Sequence, residues 1–410
     1  MINKKHLIVI GGGAAGFFCA VNAARLNKNL EVTIIEKTGK LLSKVRVSGG
    51  GRCNVTHDCR SIAEMIKKYP RGANFLKKAF HQFFTTDTIK WFEERGVMLK
   101  TEADGRMFPV SDSSQSIIDC LVNEVQKYGV KVMVNAELES LTRVENIWQV
   151  DLKGGKKMTA DFVCVACGGN AKSSHFTWLE KLRHTMEPPA PSLFTFNMPG
   201  NPITDLMGIS LENVKVRIPA LKLMEEGPLL ITHWGMSGPA ILKLSAWGAK
   251  ELVKSGWQFS ITINWIPGYN ENSLRESIQK LRFEMARQKI VNRNPFGLPQ
   301  RLWEFLIKQA GISDMIRWAD LPAKEQNILV KLLCSGEFKV SGKTTFKEEF
   351  VTCGGIKLDE IDVQTMQSKI QQSLYFAGEI LDVDGITGGF NFQNAWTTAF
   401  IAAHSIAGRG

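Results

Sequence analysis

The chain begins with an apolar strand pattern that runs into a glycine-rich turn and then into a helix. The strand-like run His6–Ile10 is followed by the turn Gly11–Gly16 (GGGAAG) and by a helical stretch, Phe17–Leu26. A second apolar run, Val32–Ile35, ends in the acidic Glu36. A strand, a G-x-G-x-x-G turn, a helix and an acidic strand end together predict a βαβ unit that binds a dinucleotide.

Each glycine of this turn has a physical role. Gly11 permits the tight turn, Gly13 lets the backbone approach a pyrophosphate, and Gly16 lets the helix pack on the strand. The start of the helix adds unpaired amides and a positive dipole end. Glu36, twenty residues after Gly16, is placed to accept hydrogen bonds from a ribose, which argues against a 2′-phosphate there.

The hydrophobic pattern after Glu36 predicts a mixed helical and β region. A helical region extends from about Ala63 to Arg95, and we assign its aromatic residues to the core. Short β-type runs then follow at Val130–Val134, Leu138–Val144, Ile147–Leu152 and Asp161–Ala166. The two middle runs indicate an antiparallel meander with a hairpin turn at Gly154-Gly155.

The pattern changes again near residue 188. We interpret Pro188–Pro191 as a linker, and the strands predicted after it, Val214–Ile218 and Phe259–Trp265, are typical of a small β-domain. A helical insert then begins with a capping box at Ser273. Further helices are predicted at Gln300–Gln309, at Ala323–Leu333 with Pro322 as the first helical residue, and at Asn394–Ala407.

Composition narrows the class of protein. At 410 residues the chain is long enough for two or three domains, and its eight scattered cysteines argue against a disulfide scaffold. It contains no apolar run that could span a bilayer and enters its first strand almost at once, so we expect a cytoplasmic protein with no membrane partner.

The net charge is 51 − 40 = +11, but basic residues occur as isolated pairs beside acidic ones. That distribution indicates a solvated basic surface rather than a nucleic-acid site.

Two further strand ends carry glycine pairs. The run that ends at Gly168–Gly169 contains Cys164 and Cys167, which we interpret as buried structural cysteines because no second cysteine pair accompanies them. Near the C-terminus a strand ends at Gly378–Glu379, and Gly388–Gly389 leads into the final helix. This helix would present a second N-terminus to a negatively polarised group.

Several segments together resemble the HI0933-like flavoprotein family. They are GGGAAG with Glu36, KVRVSGGGRCN at Lys44–Asn54, the Cys-Gly-Gly strand end, THWGMSGP at Thr232–Pro239, VTCGG at Val351–Gly355, and FAGEILDVDGITGGFNFQNAW at Phe376–Trp396. These motifs span essentially the whole chain in the family's order. The resemblance implies an FAD-dependent oxidoreductase, in a family that includes aminoacetone-oxidase-like enzymes and bile-acid double-bond reductases.

The resemblance also implies the fold. It is α/β, with a Rossmann domain of the two-dinucleotide-fold type that binds FAD and is built from both ends of the chain. An inserted β-domain carries a small helical subdomain. The implied ranges are 1–190 and 351–410 for the FAD domain, 191–270 and 337–350 for the β-domain, and 271–336 for the helical insert.

Residue by residue, the resemblance implies an extended FAD site. The pyrophosphate would lie on Gly11, Gly13, Ala14, Ala15 and Gly16, and the adenosine ribose beside Glu36 and Lys37. The ribityl chain and flavin would run alongside Lys44, Ser48, Gly49, Gly50, Gly51, Arg52, Cys53 and Asn54. The adenosine side would be closed by Ala166, Cys167, Gly168 and Gly169, with Cys167 where the family often has threonine. The ribityl–pyrophosphate junction would lie near Gly378 and Glu379, and the pyrimidine side of the ring near Gly388, Gly389, Phe390, Asn391 and Gln393.

The sequence motifs do not identify the substrate. We expect a small organic molecule that exchanges a hydride with non-covalent FAD, and no nucleic-acid partner. NADH or NADPH would act as a transient donor at the flavin, because no second G-x-G-x-x-G unit follows Gly16. His233 and Trp234 lie in a predicted loop of the β-domain. No catalytic acid or base and no metal ligand is assigned.

Two other functions remain open. The segment Gly49–Cys59 resembles the redox region of glutathione-reductase-like flavoproteins, although Cys53 and Cys59 are separated by five residues rather than four. The positive charge also suits a flavin-containing RNA-binding protein or a folate-dependent RNA-modifying protein. Such a protein would be expected to retain tRNA through purification.

Overall fold

The computed structural model describes residues 4–170, 173–344 and 351–410. Its contacts divide the chain into two compact units. The first unit comprises Met1–Ser192 and Phe346–Gly410, and the second comprises Leu193–Thr345. Both ends of the chain therefore belong to one unit, into which the second is inserted. The expected boundary at residues 350 and 351 adjoins residues 345–350, which lie outside the described part of the chain.

The helices and strands follow one another in this order. The first unit begins with β1 (His6–Ile10), α1 (Ala14–Leu26), β2 (Glu31–Ile35), α2 (Ser43–Gly51), β3 (Thr56–His57), α3 (Ile62–Ile66), α4 (Ala73–Ala79), α5 (Thr85–Glu93), β4 (Leu99–Thr101), β5 (Arg106–Pro109), α6 (Ser114–Lys127), β6 (Lys131–Met133), β7 (Leu138–Val144), β8 (Ile147–Leu152), β9 (Lys157–Ala160), β10 (Phe162–Val165), α7 (Thr177–Lys181) and β11 (Met186–Ser192). The second unit contains β12 (Thr195–Asn197), β13 (Ser210–Ile218), β14 (Leu223–Thr232), β15 (Gly235–Ser237), α8 (Pro239–Trp247), α9 (Ala249–Lys254), β16 (Gln258–Asn264), α10 (Glu271–Glu284), α11 (Gln300–Gln309), α12 (Ala323–Ser335), β17 (Gly336–Ser341) and β18 (Lys343–Thr344). The first unit resumes with β19 (Val351–Ile356), β20 (Leu374–Phe376) and α13 (Phe390–Ala407).

A five-stranded parallel sheet organises the first unit. Its order is β20-β10-β1-β2-β6, and every neighbouring pair is parallel. The central strand is almost wholly apolar, and Leu7, Ile8 and Val9 are fully buried, as expected for a parallel sheet covered on both faces. All five strands end at the same edge of the sheet. The predicted α/β Rossmann fold is confirmed.

The first and last helices pack against each other beside this sheet. Phe18 of α1 contacts Trp396 of α13, with ring centroids 5.1 Å apart, and also packs on Trp91 at 4.5 Å. The aromatic residues of the predicted helical region, including Phe80 and Phe92, are buried. That region consists of the three helices α3, α4 and α5 rather than one continuous helix. The predicted meander is confirmed as the antiparallel sheet β7-β8-β9.

The second unit is built on a seven-stranded antiparallel sheet. Its order is β17-β16-β13-β14-β15-β12-β18. Helices α10, α11 and α12 lie between β16 and β17 in the sequence and form the predicted helical insert. Trp303 and Trp318 stack with centroids 6.3 Å apart and are fully buried. The insert thus has its own aromatic core.

The interpretation of Pro188–Pro191 as a linker is wrong. The segment forms β11, which pairs with β19 in an antiparallel two-stranded sheet. The ladder shifts its register between Glu187 and Ala190, so Pro188 and Pro189 lie where no strand amide is needed. Proline therefore marks an irregular strand here, and the chain enters the second unit only after Ser192.

Three helix starts also differ from the predicted ones. Asn270, not Ser273, caps α10; its side chain accepts from the amides of Asn272 and Ser273. Pro322 is the extended residue before α12 rather than its first helical residue. The final helix begins at Phe390, four residues earlier than predicted, because Gly389 adopts the left-handed conformation that begins the helix. Among the described helices, none is long and apolar enough to cross a membrane.

A buried ion pair connects two distant segments of the first unit. The Arg71 guanidinium donates to both carboxylate oxygens of Asp384, whose side chain is fully buried. Ser192 donates a third hydrogen bond to Asp384, at 2.8 Å. We expect Asp384→Ala to lower the free energy of unfolding by about 3–5 kcal/mol, because it leaves the Arg71 charge buried without this partner.

Urea denaturation measures this loss. The matched control is Glu64→Ala, which removes the exposed Lys67–Glu64 pair and should cost under about 1 kcal/mol. Equal, small losses in the two variants would show that the Arg71–Asp384 pair contributes little.

Candidate functional site

A cavity of about 380 Å³ opens at the edge where the parallel strands end. Residues that follow four of the parallel strands line this cavity. The Gly11–Ala15 turn follows β1, Glu36 follows β2, and Ala166–Gly169 follow β10. Glu379 lies three residues after the end of β20. Ligands of open α/β sheets bind at this edge. The remaining lining residues are Lys37, Thr38, Lys40, Leu42, Ser43, Lys44, Val47, Ser48, Val351, Asn391, Phe392, Asn394 and Ala395.

The glycines of the turn serve different purposes. A Cβ on Gly16 would overlap the carbonyl oxygen of Gly11, so Gly16 allows α1 to pack closely against the turn. Within the described part of the chain, a Cβ on Gly13 would meet no atom within 4 Å other than those of its chain neighbours, and Gly13 has an ordinary φ of −94°. Protein packing and backbone strain therefore give no reason for glycine at position 13. Open cavity space in front of Gly13 is what a bound ligand would need.

Glu36 closes the loop beside this turn. One of its carboxylate oxygens accepts from the Gly12 amide at 2.8 Å, and the other accepts from the amide and hydroxyl of Thr38, both at 2.9 Å. Glu36, Lys37 and Cys167 also line a second, smaller cavity of about 90 Å³ that adjoins the first. The second cavity is otherwise lined by Ile10, Gly11, Ile35, Ala136, Glu137, Leu138, Asn170, His175, Phe176 and Trp178.

Charged groups face each other across the main cavity. Lys44 forms an ion pair with Glu379, whose second oxygen accepts from the Thr352 amide at 2.9 Å. Lys37 and Lys40 lie on the same wall as Glu36. The cavity thus carries three lysines against two carboxylates, a balance that favours an anionic ligand.

The cysteines of the β10 segment occupy opposite environments. Cys164 is fully buried, and its sulfur lies 3.5 Å from that of Cys19. The hydrogen-bonded contact between the two thiols and burial favour the protonated form of Cys164, and together they hold its pKa well above the ordinary value. Cys167 is exposed and lines both cavities, so the interpretation of Cys167 as buried is wrong. Strand β10 ends at Val165, which frees Cys167 from the sheet.

The start of α13 contributes one side of the cavity wall. Asn391, Asn394 and Ala395 are spaced three and four residues apart, so they share one helix face, and Phe392 also lines the cavity. Among the described residues, the buried side-chain oxygen of Asn394 has no hydrogen-bond partner. Asn394 itself lines the cavity, so the start of α13 brings a polar side chain to this wall.

Other predicted residues lie outside the lining. Gly49, Gly50 and Gly51 have φ of 58°, 69° and 87° and end α2 in a left-handed turn. Arg52 pairs with Glu102 and stacks on Phe108, 4.0 Å from its ring centroid, while Cys53 is buried. The structure does not place these residues around the cavity with Lys44 and Ser48.

The C-terminal residues outside the lining also have structural partners. Gly378 donates to the Thr398 hydroxyl at 2.9 Å, and Gly388 accepts from Nδ1 of His57 at 3.1 Å. Phe390 is buried, and its carbonyl accepts from the Tyr69 hydroxyl. The Gln393 side chain bonds to Thr56, Thr88 and Thr397 inside the protein.

Gly389 lies beside the backbone of Thr56. A Cβ on Gly389 would lie 2.5 Å from the Thr56 carbonyl oxygen, so the packing of the protein already requires glycine here. The Asn54 side-chain amide, oriented to satisfy both of its ends, accepts from the Gly389 amide and donates to Thr56, each at 3.0 Å. The Gly389 amide therefore points to Asn54. The later residues Asn391 and Phe392 reach the cavity instead.

Sequence reasoning missed ten lining residues. They are Gly12, Thr38, Lys40, Leu42, Ser43, Val47, Val351, Phe392, Asn394 and Ala395. The helical spacing from Asn391 could have indicated Asn394 and Ala395. Thr38 and Lys40 could have been expected in the loop that follows Glu36. In the sequence, Leu42 and Val47 look like ordinary core residues. Only the folded structure shows that they line the cavity.

His233 and Trp234 belong to the second unit, in the turn between β14 and β15. Their rings lie 4.0 Å apart, and both line a cavity of about 260 Å³ with Asn197, Met198, Pro199, Gly200, Thr204 and Ser341. Throughout residues 4–170, 173–344 and 351–410, no three His, Cys, Asp or Glu side chains are grouped closely enough to hold a metal ion.

Comparison with known proteins gives the family. Residues 5–405 match the model of the HI0933-like protein Rossmann domain, so the chain belongs to this family of flavoprotein-type oxidoreductases. Over 421 aligned residues the chain is 30% identical to a ribosomal RNA dihydrouridine synthase of Haemophilus influenzae, covering 99% of this chain and 100% of that protein. It is 25% identical to a 3-dehydro-bile acid delta(4,6)-reductase of Clostridium scindens, covering 98% of each.

A solved structure shows the same fold. The 3-ketosteroid delta1-dehydrogenase of Sterolibacterium denitrificans superposes with a TM-score of 0.53 at 13% identity, over 98% of this chain and 99% of that one. The predicted family is confirmed, and with it the general class of oxidoreductase.

We expect Gly13→Val to abolish binding of the dinucleotide while leaving the protein folded, because a Cβ at position 13 enters cavity space and meets none of the described protein atoms outside its own chain neighbourhood. Absorbance of bound flavin and far-UV circular dichroism measure the two effects. Gly16→Val is the matched control: it must collide with the Gly11 carbonyl, so it should lose folded protein as well as flavin. A folded Gly13→Val protein that retains its full flavin content would show that the Gly11–Gly16 turn does not bind the cofactor.

Cys53 and Cys59 should not form a catalytic redox pair. Burial raises the pKa of the Cys53 thiol to about 12, so this group stays a neutral thiol at pH 8 and resists alkylation by iodoacetamide in the native protein. The variant Cys53→Ser, Cys59→Ser should retain its flavin. Rapid alkylation of native Cys53, or a long-wavelength thiolate–flavin absorption band on reduction, would revive the disulfide-reductase alternative.

Proposed function

We propose that the protein is an FAD-dependent reductase of a carbon–carbon double bond conjugated to a carbonyl group, and that its substrate is uridine in ribosomal RNA. The full-length similarity to a ribosomal RNA dihydrouridine synthase supports the substrate class. The net charge of +11 favours a polyanionic partner. The RNA-modifying alternative thereby replaces the expected small organic substrate as the leading hypothesis.

The observation that carries the cofactor assignment is the open space in front of Gly13. A pyrophosphate fits there, against the α1 N-terminus, and Lys44 supplies a cation nearby. Glu36, Lys37 and Cys167 connect this space to the smaller cavity, which suits the adenosine half of FAD.

When bound in its reduced form, FAD supplies a hydride to an electron-poor carbon. The protein's own contribution is to position charge around that chemistry. The first amides of α13 have no partner within the helix, and its positive dipole end lies at the cavity through Asn391 and Phe392. This arrangement stabilises negative charge at the cavity wall. The Lys44–Glu379 pair holds a lysine at the same wall.

NADH or NADPH would serve as the electron donor by transient encounter at the flavin. Within the described ranges the five-stranded sheet is the one parallel sheet, and the proposed FAD site occupies its carboxyl edge. No other sheet there has the topology of a nicotinamide domain. The donor and the substrate would therefore compete for one pocket.

A small-molecule enone is the second candidate substrate. The bile-acid reductase relative, whose name describes reduction of double bonds in a 3-oxo steroid, matches essentially the whole chain. Uracil and such a steroid share one feature: the carbon that accepts hydride is conjugated to a carbonyl. One active-site chemistry can thus serve either substrate, and substrate recognition distinguishes them.

We expect purified flavoprotein with NADPH to convert uridine to dihydrouridine in ribosomal RNA transcribed in vitro, as measured by nuclease digestion and mass spectrometry. A 3-oxo-4,6-diene steroid tested in parallel should be reduced slowly or not at all. Gly13→Val protein is the control for FAD dependence. Rapid steroid reduction without any dihydrouridine would overturn the RNA proposal and favour the second candidate.

A further inference from the structure

We infer that the helical insert carries an RNA-docking surface, formed by Arg287, Lys289 and Arg317 and hereafter called the basic face. The inference rests on the proposed RNA substrate, and it assigns the contact to a place remote in sequence from the cofactor-binding motifs. These residues lie on two short segments that pair with each other, Ala286–Ile290 and Met315–Ala319.

Backbone hydrogen bonds fix how the two segments pair. The Ile290 amide donates to Ile316 at 3.0 Å, and the Trp318 amide donates to Gln288 at 3.0 Å. Lys289 and Arg317 are direct antiparallel partners. Ile290 and Trp318 are fully buried, so the alternation of side chains places Lys289 and Arg317 together on the outer side.

This outer side concentrates positive charge. Arg287 precedes Lys289 by two residues and is exposed, as is Arg317. Like charges on directly opposed residues of a strand pair are destabilising. Nearby carboxylates do not relieve this: within the described residues, none lies within 4.0 Å of the three cationic groups, although Glu284, Asp314 and Asp320 are close in sequence. A self-contained surface would pair these charges, whereas a polyanion can neutralise all three.

Exposed apolar side chains accompany the basic face. Met315 is 69% exposed, and its sulfur lies 3.2 Å from the Lys289 ammonium. Phe283, near the end of α10, is 83% exposed. Arg282 donates to the Ala319 carbonyl at 3.0 Å, which ties this end of α10 to the paired segments. An exposed ring on the same helical insert as the cations suits a nucleic acid, because bases stack on aromatic rings while cations bind phosphates.

RNA fits these features better than an acidic protein does. The exposed Arg287 and Arg317 and the half-buried Lys289 would bind the phosphate backbone without reading bases, so the basic face would supply affinity and orientation rather than sequence specificity. Phe283 adds a surface for an unpaired base, for which an acidic peptide has no use. The overall composition of scattered basic pairs concealed this cluster, because Arg317 joins Lys289 only through folding.

The test compares two triple variants of the flavin-loaded, full-length protein. Arg287→Gln, Lys289→Gln, Arg317→Gln should bind ribosomal RNA transcribed in vitro about tenfold more weakly or worse, and should lower the slope of log K against log salt by about two to three. The control, Lys308→Gln, Lys324→Gln, Lys331→Gln, removes the same charge from exposed positions of α11 and α12. It should leave binding nearly unchanged.

Filter binding measures affinity independently of turnover, and flavin content with NADPH-driven flavin reduction confirms an intact cofactor site. Phe283→Ala should weaken binding without changing the salt slope. Equal losses in both triple variants, no RNA binding by the parent protein, or equally effective competition by polyglutamate would each overturn the inference, the last in favour of an acidic protein partner. A selective loss of RNA binding without any dihydrouridine formation would instead reject only the proposed reaction.

Discussion

The close approach of backbone segments at the first β–α turn is the constraint on which the site depends. Gly16 lets α1 pack against the Gly11 carbonyl, and Gly11 lies against the backbone of Ala166 at the end of β10. These contacts, with the hydrogen bond from the Gly11 amide to the Ile35 carbonyl at 2.8 Å, bring the ends of β1, β2 and β10 and the N-terminus of α1 to one place. Gly13 then faces open space rather than protein. Residues separated by more than three hundred positions, such as Lys44 and Glu379, become ion-pair partners as a result.

Local patterns predicted the elements whose residues repeat regularly. The helix Gln300–Gln309 and the strands Leu138–Val144 and Ile147–Leu152 have the bounds that their hydrophobic periodicity indicates. The linker interpretation of Pro188–Pro191 failed because β19 supplies a partner that composition does not show. The interpretation of Cys167 as buried failed for a similar reason. The cavity that exposes Cys167 is formed by segments distant in sequence.

The candidate site divides in the same way. The glycine turn, Glu36 and the strand-end residues after β10 were predictable, because a dinucleotide imposes its requirements on a short stretch of chain. The Lys44–Asn54 segment was only partly predictable: Lys44 and Ser48 reach the cavity, while Cys53 and Asn54 hold neighbouring protein groups. Asn394 was missed, because an unpaired buried acceptor is visible only after every other partner is known. The proposed RNA-docking surface could not be predicted from a local sequence pattern, because the cations of the basic face come from two separate segments of the chain.

The proposal that this turn and cavity hold FAD can be tested by identifying the cofactor that the protein releases. Heat denaturation of the purified protein, followed by chromatography and spectroscopy of the supernatant, measures that identity and its amount. We expect FAD close to one molecule per chain, because the Gly11–Gly16 turn and Glu36 are proposed to hold the adenosine diphosphate half of the cofactor. Release of FMN, which lacks that half, would exclude this assignment. A protein that neither contains FAD nor binds it when FAD is added would do so equally.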